Sequence, residues 1–172
     1  SLGLPEPERC ALELAALAHD LGKLDARFQD FLAGGSRGAG MPFLAKSRFG
    51  ERNPAAAALA RERSGLPHGF RHEAGSVAIL DSALAAGAVP AELSAADAAL
   101  AVFLAGTHHG HGRPLWPLER GGKPAGFAAD LLGIRGEAGG ENADGWLGGR
   151  WMQLFFDLQE RYGTWTLAYL ES

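Results

Sequence analysis

Apolar residues recur at three- and four-residue intervals over several stretches of the chain, and each such stripe predicts a helix with one face toward a core. Behind Pro5 and Pro7, the residues Cys10, Leu14, Leu17 and Leu21 make the clearest stripe, which ends near Gly22. Leu24, Phe28, Phe31 and Leu32 predict a short second helix that stops at Gly34 and Gly35. No period survives over residues 34–53, where Gly, Ser, Arg and Pro mark a long loop. Asn53 before Pro54 predicts a helix start, with the asparagine as N-cap and the proline in the first turn. Val77, Leu80 and Leu84 predict a helix over 72–86, and Leu93, Leu100, Phe103 and Leu104 another that runs to Gly106. Residues 110–145 are rich in Gly and Pro, with one short helical turn expected over 127–132. Leu147, Trp151, Leu154, Phe155 and Leu158 form a further stripe that closes at Gly163. No strand alternation and no repeat is visible, so the expected fold class is all-α. A last apolar segment opens at Trp165 and is still running at Ser172, and the first helix begins almost at once. The chain therefore reads as a piece truncated at both ends.

Its 172 residues suit a single domain over 1–172, and a composition of 47% hydrophobic and 21% charged residues is that of an ordinary globular protein. No apolar run reaches the roughly 18 residues of a membrane span, and no leader peptide is visible. One thiol, Cys10, allows neither an internal disulfide nor a thiolate cage, which points to a reducing, cytoplasmic setting. Any metal must then rest on His, Asp or Glu. The net charge of −4 disfavours nonspecific coating of nucleic acid. Between Gly35 and Glu73, however, seven basic residues (Arg37, Lys46, Arg48, Arg52, Arg61, Arg63, Arg71) stand against three acidic ones (Glu51, Glu62, Glu73). That local excess would suit a polyanion, or would simply be a solvated surface.

Four of the six histidines fall at or beside predicted helix ends. His19 and Asp20 close the first helix, with Lys23 one turn on. Neutral imidazole and carboxylate suit borderline divalent metals, and a nearby ammonium suits a phosphate; a capped helix end is the simpler reading of the dipeptide alone. His108 and His109 follow an apolar helix between Gly106 and Gly110. Neighbouring side chains on a helix diverge by about 100°, so this pair shares a metal only where the backbone leaves the helix, as flanking glycines permit. His72 opens a helix between Arg71 and Glu73, His68 lies in a loop, and His111 has no evident role.

Several motifs fail on inspection. His72-Glu73 would begin an H-E-x-x-H zinc motif, but Ser76 stands at its last position. Residues 34–38 fit G-x-S-x-G but follow a helix where a nucleophile elbow needs a strand. Pro124 after Gly122-Lys123 rules out a P-loop. Of the four tryptophans, at 116, 146, 151 and 165, Trp151 lies on a core-facing stripe, so burial suits it better than base stacking.

Taken in order, His19-Asp20-Leu21-Gly22-Lys23, Phe28-Gln29, Phe70-Arg71-His72-Glu73 and Gly106-Thr107-His108-His109-Gly110, with the closing Arg161-Tyr162-Gly163 and Leu167-Ala168-Tyr169-Leu170-Glu171, resemble the HD nuclease domain of the CRISPR type I effector nuclease-helicase. The resemblance implies an HD-domain helical bundle with long Gly/Pro-rich loops. It implies two divalent transition metal ions and hydrolysis of DNA, chiefly single strands displaced during target recognition. Carried over by position, Asp20 bridges the two ions and His19 binds the first, while Asp20, His72, His108 and His109 make the second site. Lys23, in the HD-x-G-K string, becomes a catalytic phosphate contact. A histidine before the HD pair and an aspartate after the Y-G motif, both ligands of the first ion in the family, have no counterpart here. Partners implied are single-stranded DNA, a helicase domain or subunit, and the RNA-guided target-recognition complex, with no membrane.

The expected function is thus metal-assisted phosphodiester hydrolysis in type I CRISPR interference, an antiviral defence. Arg71, others of the 35–73 segment and Arg113 would guide the strand. A ligand set of N and O donors suits Mn, Fe, Co, Ni or Zn. Two rivals share these residues: an HD phosphohydrolase of a nucleotide or cyclic dinucleotide, and an inert helical binding module.

Overall fold

The structure, a computed structural model, describes residues 3–49, 53–110, 112–115, 126–139 and 149–171. In chain order these form α1 (Glu6–Ala18), a 3₁₀ turn (Leu21–Leu24), α2 (Ala26–Leu32), α3 (Pro54–Ser64), α4 (His72–Ala85), α5 (Ala95–Thr107), β1 (Phe127–Leu131), β2 (Ile134–Ala138), α6 (Trp151–Tyr162) and α7 (Thr164–Glu171). No helix among them is long and apolar enough to cross a membrane.

Helices α4 and α5 form the centre, with Val77, Ile79, Leu80, Leu100 and Phe103 almost wholly removed from water. A helix apolar on most of its surface must be covered on most of its surface; α5 is covered by α1 and α6, and α4 by α5, the 3₁₀ turn and β2. Trp151 stacks on Phe103 at 5.4 Å between ring centroids and is buried, as its stripe predicts.

The first helix differs from expectation in face and in end. Its buried stripe is Ala11, Leu14, Ala15 and Ala18, while Leu17 is exposed. Alanines carry little weight in a hydrophobic pattern, yet their small side chains let α1 lie close to α5. Regular helix stops at Ala18, because Asp20 takes φ −105° and ψ 1° and the chain tightens into the 3₁₀ turn. Asn53 caps α3 as expected, its side chain accepting from the Ala56 amide at 3.0 Å.

The helical turn expected over 127–132 is a strand instead. β1 and β2 pair antiparallel in the register Leu131↔Ile134, joined through Leu132 and Gly133, both at positive φ. That is the two-residue turn whose twist suits a hairpin, although a leucine there is costly and gives no turn signal. In β2 the buried positions are Ile134, Gly136 and Ala138. A Cβ on Gly136 would lie 2.1 Å from the Ile79 carbonyl oxygen, so the strand backbone rests directly on α4. An alternation carried by Gly and Ala does not look apolar in sequence, and packing supplies what propensity lacks.

Candidate metal centre

Three helix ends meet at one point. The end of α1 brings His19 and Asp20, the first turn of α4 brings His72, and the end of α5 brings His108 and His109. The α5 end turns out of the helix at Gly110, which takes φ +75° and donates its amide to the Thr107 carbonyl at 2.7 Å. The two adjacent imidazoles then lie 4.2 Å apart by ring centroid instead of diverging. The departure from helix that a shared site requires is present.

The meeting of α1 and α4 depends on two small residues. A Cβ on Gly22 would sit 1.8 Å from the His72 carbonyl oxygen and 2.8 Å from the Ser76 amide, so only glycine allows the 3₁₀ turn this close to α4. Ser76, wholly buried, accepts from the Gly22 amide at 2.9 Å and donates to the His19 carbonyl at 2.6 Å. The serine that breaks the zinc motif in sequence thus fastens the His-Asp turn to the helix carrying His72.

Donor atoms converge on Asp20. Its Oδ1 is buried without a hydrogen-bond partner, 3.3 Å from His72 Nε2 and 3.9 Å from His108 Nε2. His72 Nε2 and His108 Nε2 are 3.2 Å apart. Ligand nitrogens on a tetrahedral ion with bonds of 2.0–2.1 Å stand about 3.3 Å apart. One ring nitrogen each of His72, His108 and His109 also falls within 4.8 Å of the others. His108 donates from Nδ1 to the Ala105 carbonyl at 2.8 Å and His19 from Nδ1 to the Ala16 carbonyl at 2.7 Å. Each bond fixes the tautomer that leaves the Nε2 lone pair free. A buried, unbonded carboxylate oxygen facing imidazole lone pairs is costly unless a cation joins them, and in that sense these residues fit a divalent metal.

Protonation states agree. Burial pushes His72 down to about 4 and lowers His108 as well, so both rings are neutral near neutral pH. Burial alone would raise Asp20, but its hydrogen bond from Lys23 and the charges of His19, Lys23 and His72 outweigh burial and hold the carboxyl below its ordinary value. Lys23 Nζ lies 2.8 Å from Asp20 Oδ2.

Glu73 is the residue that the sequence did not single out. It is buried, with Oε2 3.5 Å from His72 Nδ1 and Oε1 3.3 Å from Arg71 and 3.9 Å from His109 Nε2. It sits behind the imidazoles as an outer carboxylate, the usual device for orienting metal-binding histidines. In sequence it stood only beside His72, in the failed H-E-x-x-H match and in the Phe70-Arg71-His72-Glu73 string, with no role of its own. Arg71 is therefore paired with Glu73, while Arg113 is exposed and its carbonyl accepts from Trp151 Nε1 at 2.8 Å. His68 is exposed. His111, Lys123, Trp116 and Trp146 lie outside the described residues.

An adjacent His-Asp pair on one helix end, facing histidines from two others in a mainly helical chain, defines an HD-type domain. Comparison with known families matches residues 3–166 to "Cas3, HD domain", and the chain belongs to that family. Membership implies a metal-dependent nuclease of CRISPR type I interference and a nucleic-acid substrate. Comparisons with curated proteins and with solved structures give no match.

Proposed function

We propose that this chain hydrolyses phosphodiester bonds of DNA, chiefly single-stranded, with divalent transition metal ions held at the three helix ends. His72, His108, His109 and Asp20 would hold one ion, and Asp20 with His19 would hold a second. Such ions, when bound, lower the pKa of water and neutralise phosphate charge. The chain's own residues do the positioning. Lys23 keeps Asp20 ionised and oriented, and its ammonium retains donors for a substrate phosphate. Glu73 holds the imidazoles in register. Arg71 and Arg113 meet the strand, and the strand arrives from a helicase domain or subunit acting with the RNA-guided target-recognition complex.

The observation that carries the metal reading is Asp20 Oδ1, buried and unbonded, beside two Nε2 atoms. The exposed rim favours a polymer over a small enclosed nucleotide: His19 is 39% and His109 52% exposed. The test is metal content and cleavage of circular single-stranded DNA in Mn²⁺, for the parent chain and for His108→Ala/His109→Ala. The parent binds metal and cuts; the double variant folds, loses the metal of the buried site and does not cut. Undiminished cleavage by a folded double variant would overturn the assignment.

A further inference from the structure

Beside the metal centre runs a segment that the site does not use, residues 35–49, which contains Arg37, Lys46 and Arg48 and no Asp or Glu. It lacks regular secondary structure, yet α2 holds it at three places. Asp30 Oδ1 accepts from the Arg37 amide at 2.6 Å, and the Leu32 carbonyl accepts from the Arg48 amide at 2.9 Å. Between them Gln29, 1% exposed, grips Leu44 twice: its Oε1 accepts from the Leu44 amide at 2.8 Å and its Nε2 donates to the Leu44 carbonyl at 3.1 Å. The same Nε2 donates to the Lys23 carbonyl at 2.8 Å. One buried amide thus ties the segment to the residue that pairs with Asp20. A ring contact links the same places: Phe49 lies 5.2 Å from Phe31, Phe31 6.0 Å from Phe28, and Phe28 5.5 Å from His72.

What the segment presents outward is a large aromatic face among cations. Phe43 is 60% exposed. The Arg37 guanidinium lies over its ring at 4.7 Å and is fixed there by donating to the Met41 carbonyl at 2.6 Å. Lys46 and Arg48 are exposed close by in sequence. Ordering an exposed phenylalanine costs free energy that burial does not return, and beyond the part covered by Arg37 its exposed ring surface can take another planar group. Exposed cations in a segment that itself carries no Asp or Glu suit a run of phosphates.

We infer that residues 35–49 are a grip for single-stranded nucleic acid, in which Phe43 stacks a base and Lys46 and Arg48 hold the backbone, with Gln29 as the positioning residue that sets the grip relative to the metal centre. This rests on the DNA reading above and adds to Arg71 and Arg113 a separate surface on α2's side of the centre. A duplex keeps its bases stacked on each other and offers Phe43 none, so the grip selects unpaired strands.

The test is binding of a fluorescent oligothymidylate over 50–200 mM salt before any divalent metal is added, for the parent, Phe43→Ala and Lys46→Ala/Arg48→Ala. All substituted positions are exposed, and metal content checks that the helix ends still meet. Phe43→Ala weakens binding about fivefold or more with the salt slope unchanged. Lys46→Ala/Arg48→Ala lowers the slope of log affinity against log salt by about 1.4, since each strand phosphate contact contributes about 0.7. A parent that binds, with both variants indistinguishable from it, overturns the grip and leaves the nuclease reading standing. A parent that does not bind the oligonucleotide overturns both.

Discussion

Asp20 has two sides, and they are built differently. Toward α4 and α5 its Oδ1 is buried and faces His72 and His108, whose side chains are 10% and 16% exposed. Burial has already stripped these donors of water and protons, and Ser76 and Glu73 hold them from behind. Toward solvent its Oδ2 is taken by Lys23, and His19, 39% exposed, stands 3.5 Å off. The desolvation cost of the first side is met when the chain folds, so a cation arriving there needs little rearrangement. On the second side water still competes for every donor. The contrast teaches that affinity should reside on the buried side, and that on the proposed function the exposed side is the one a substrate would reach.

The largest blow to that contrast is Gly22→Ala. Its Cβ would overlap the backbone carbonyl oxygen of His72 at 1.8 Å, and no side-chain rotation can relieve that overlap. The 3₁₀ turn must lift away from α4, at a cost of about 3 kcal/mol, and Asp20 is carried from His72. Urea denaturation and metal content check this together: the variant is destabilised and loses the buried-side ion. A variant with parental stability and metal would show that the close approach does not position the site.

A titration of the metal-free chain gives an effect of similar sign and size, with the site left in place. His72 ordinarily titrates near 6.5 and in the fold at about 4. Above pH 6.5 neither state binds the proton. Between 6.5 and 4 the unfolded chain binds it and the folded chain refuses, so stability falls as pH falls through that window and levels off below it. The full loss is about 3 kcal/mol. Urea midpoints between pH 7 and 4 should drop for the parent and drop distinctly less for His72→Gln, in which the smaller part due to buried His108 remains. Equal slopes in the two proteins would show that burial of His72 does not set the dependence.

Much of this was legible in sequence, for identifiable reasons. Helices α3 to α6 follow apolar stripes and an Asn-Pro start, and the His-Asp pair, His72 and the His108-His109 pair are uncommon side chains at helix ends. What escaped is carried by small residues. The buried face of α1 is mainly alanine, the hairpin over 127–138 alternates through Gly and Ala and turns through Leu132, and Gly22 and Ser76 act through backbone proximity. Close approach depends on a partner far along the chain, and no local period encodes it. Glu73 and Gln29 escaped for the related reason that a buried polar side chain shows its purpose only when its partners, here His72 and Leu44, are in place.

The smallest expected effect is the most direct test of the two-sided centre. His19→Ala removes an imidazole whose Nδ1 donates to the Ala16 carbonyl and whose Nε2 is 3.5 Å from Asp20 Oδ2. The side chain is well exposed, water can replace the first bond, and Ser76 still holds the His19 backbone carbonyl. Stability should then change by about 0.5 kcal/mol or less. Asp20 Oδ1, His72 and His109 are untouched, and His108 loses only an edge-on ring contact at 4.9 Å while its Nδ1 bond to the Ala105 carbonyl still holds it, so a variant saturated with Mn²⁺ should keep one tightly bound ion while DNA cleavage drops. Retained metal with lost cleavage separates holding an ion from using it and places those tasks on opposite oxygens of one carboxylate. If the substitution instead releases every ion, the two sides form a single cooperative site, and burial alone does not explain where the affinity lies.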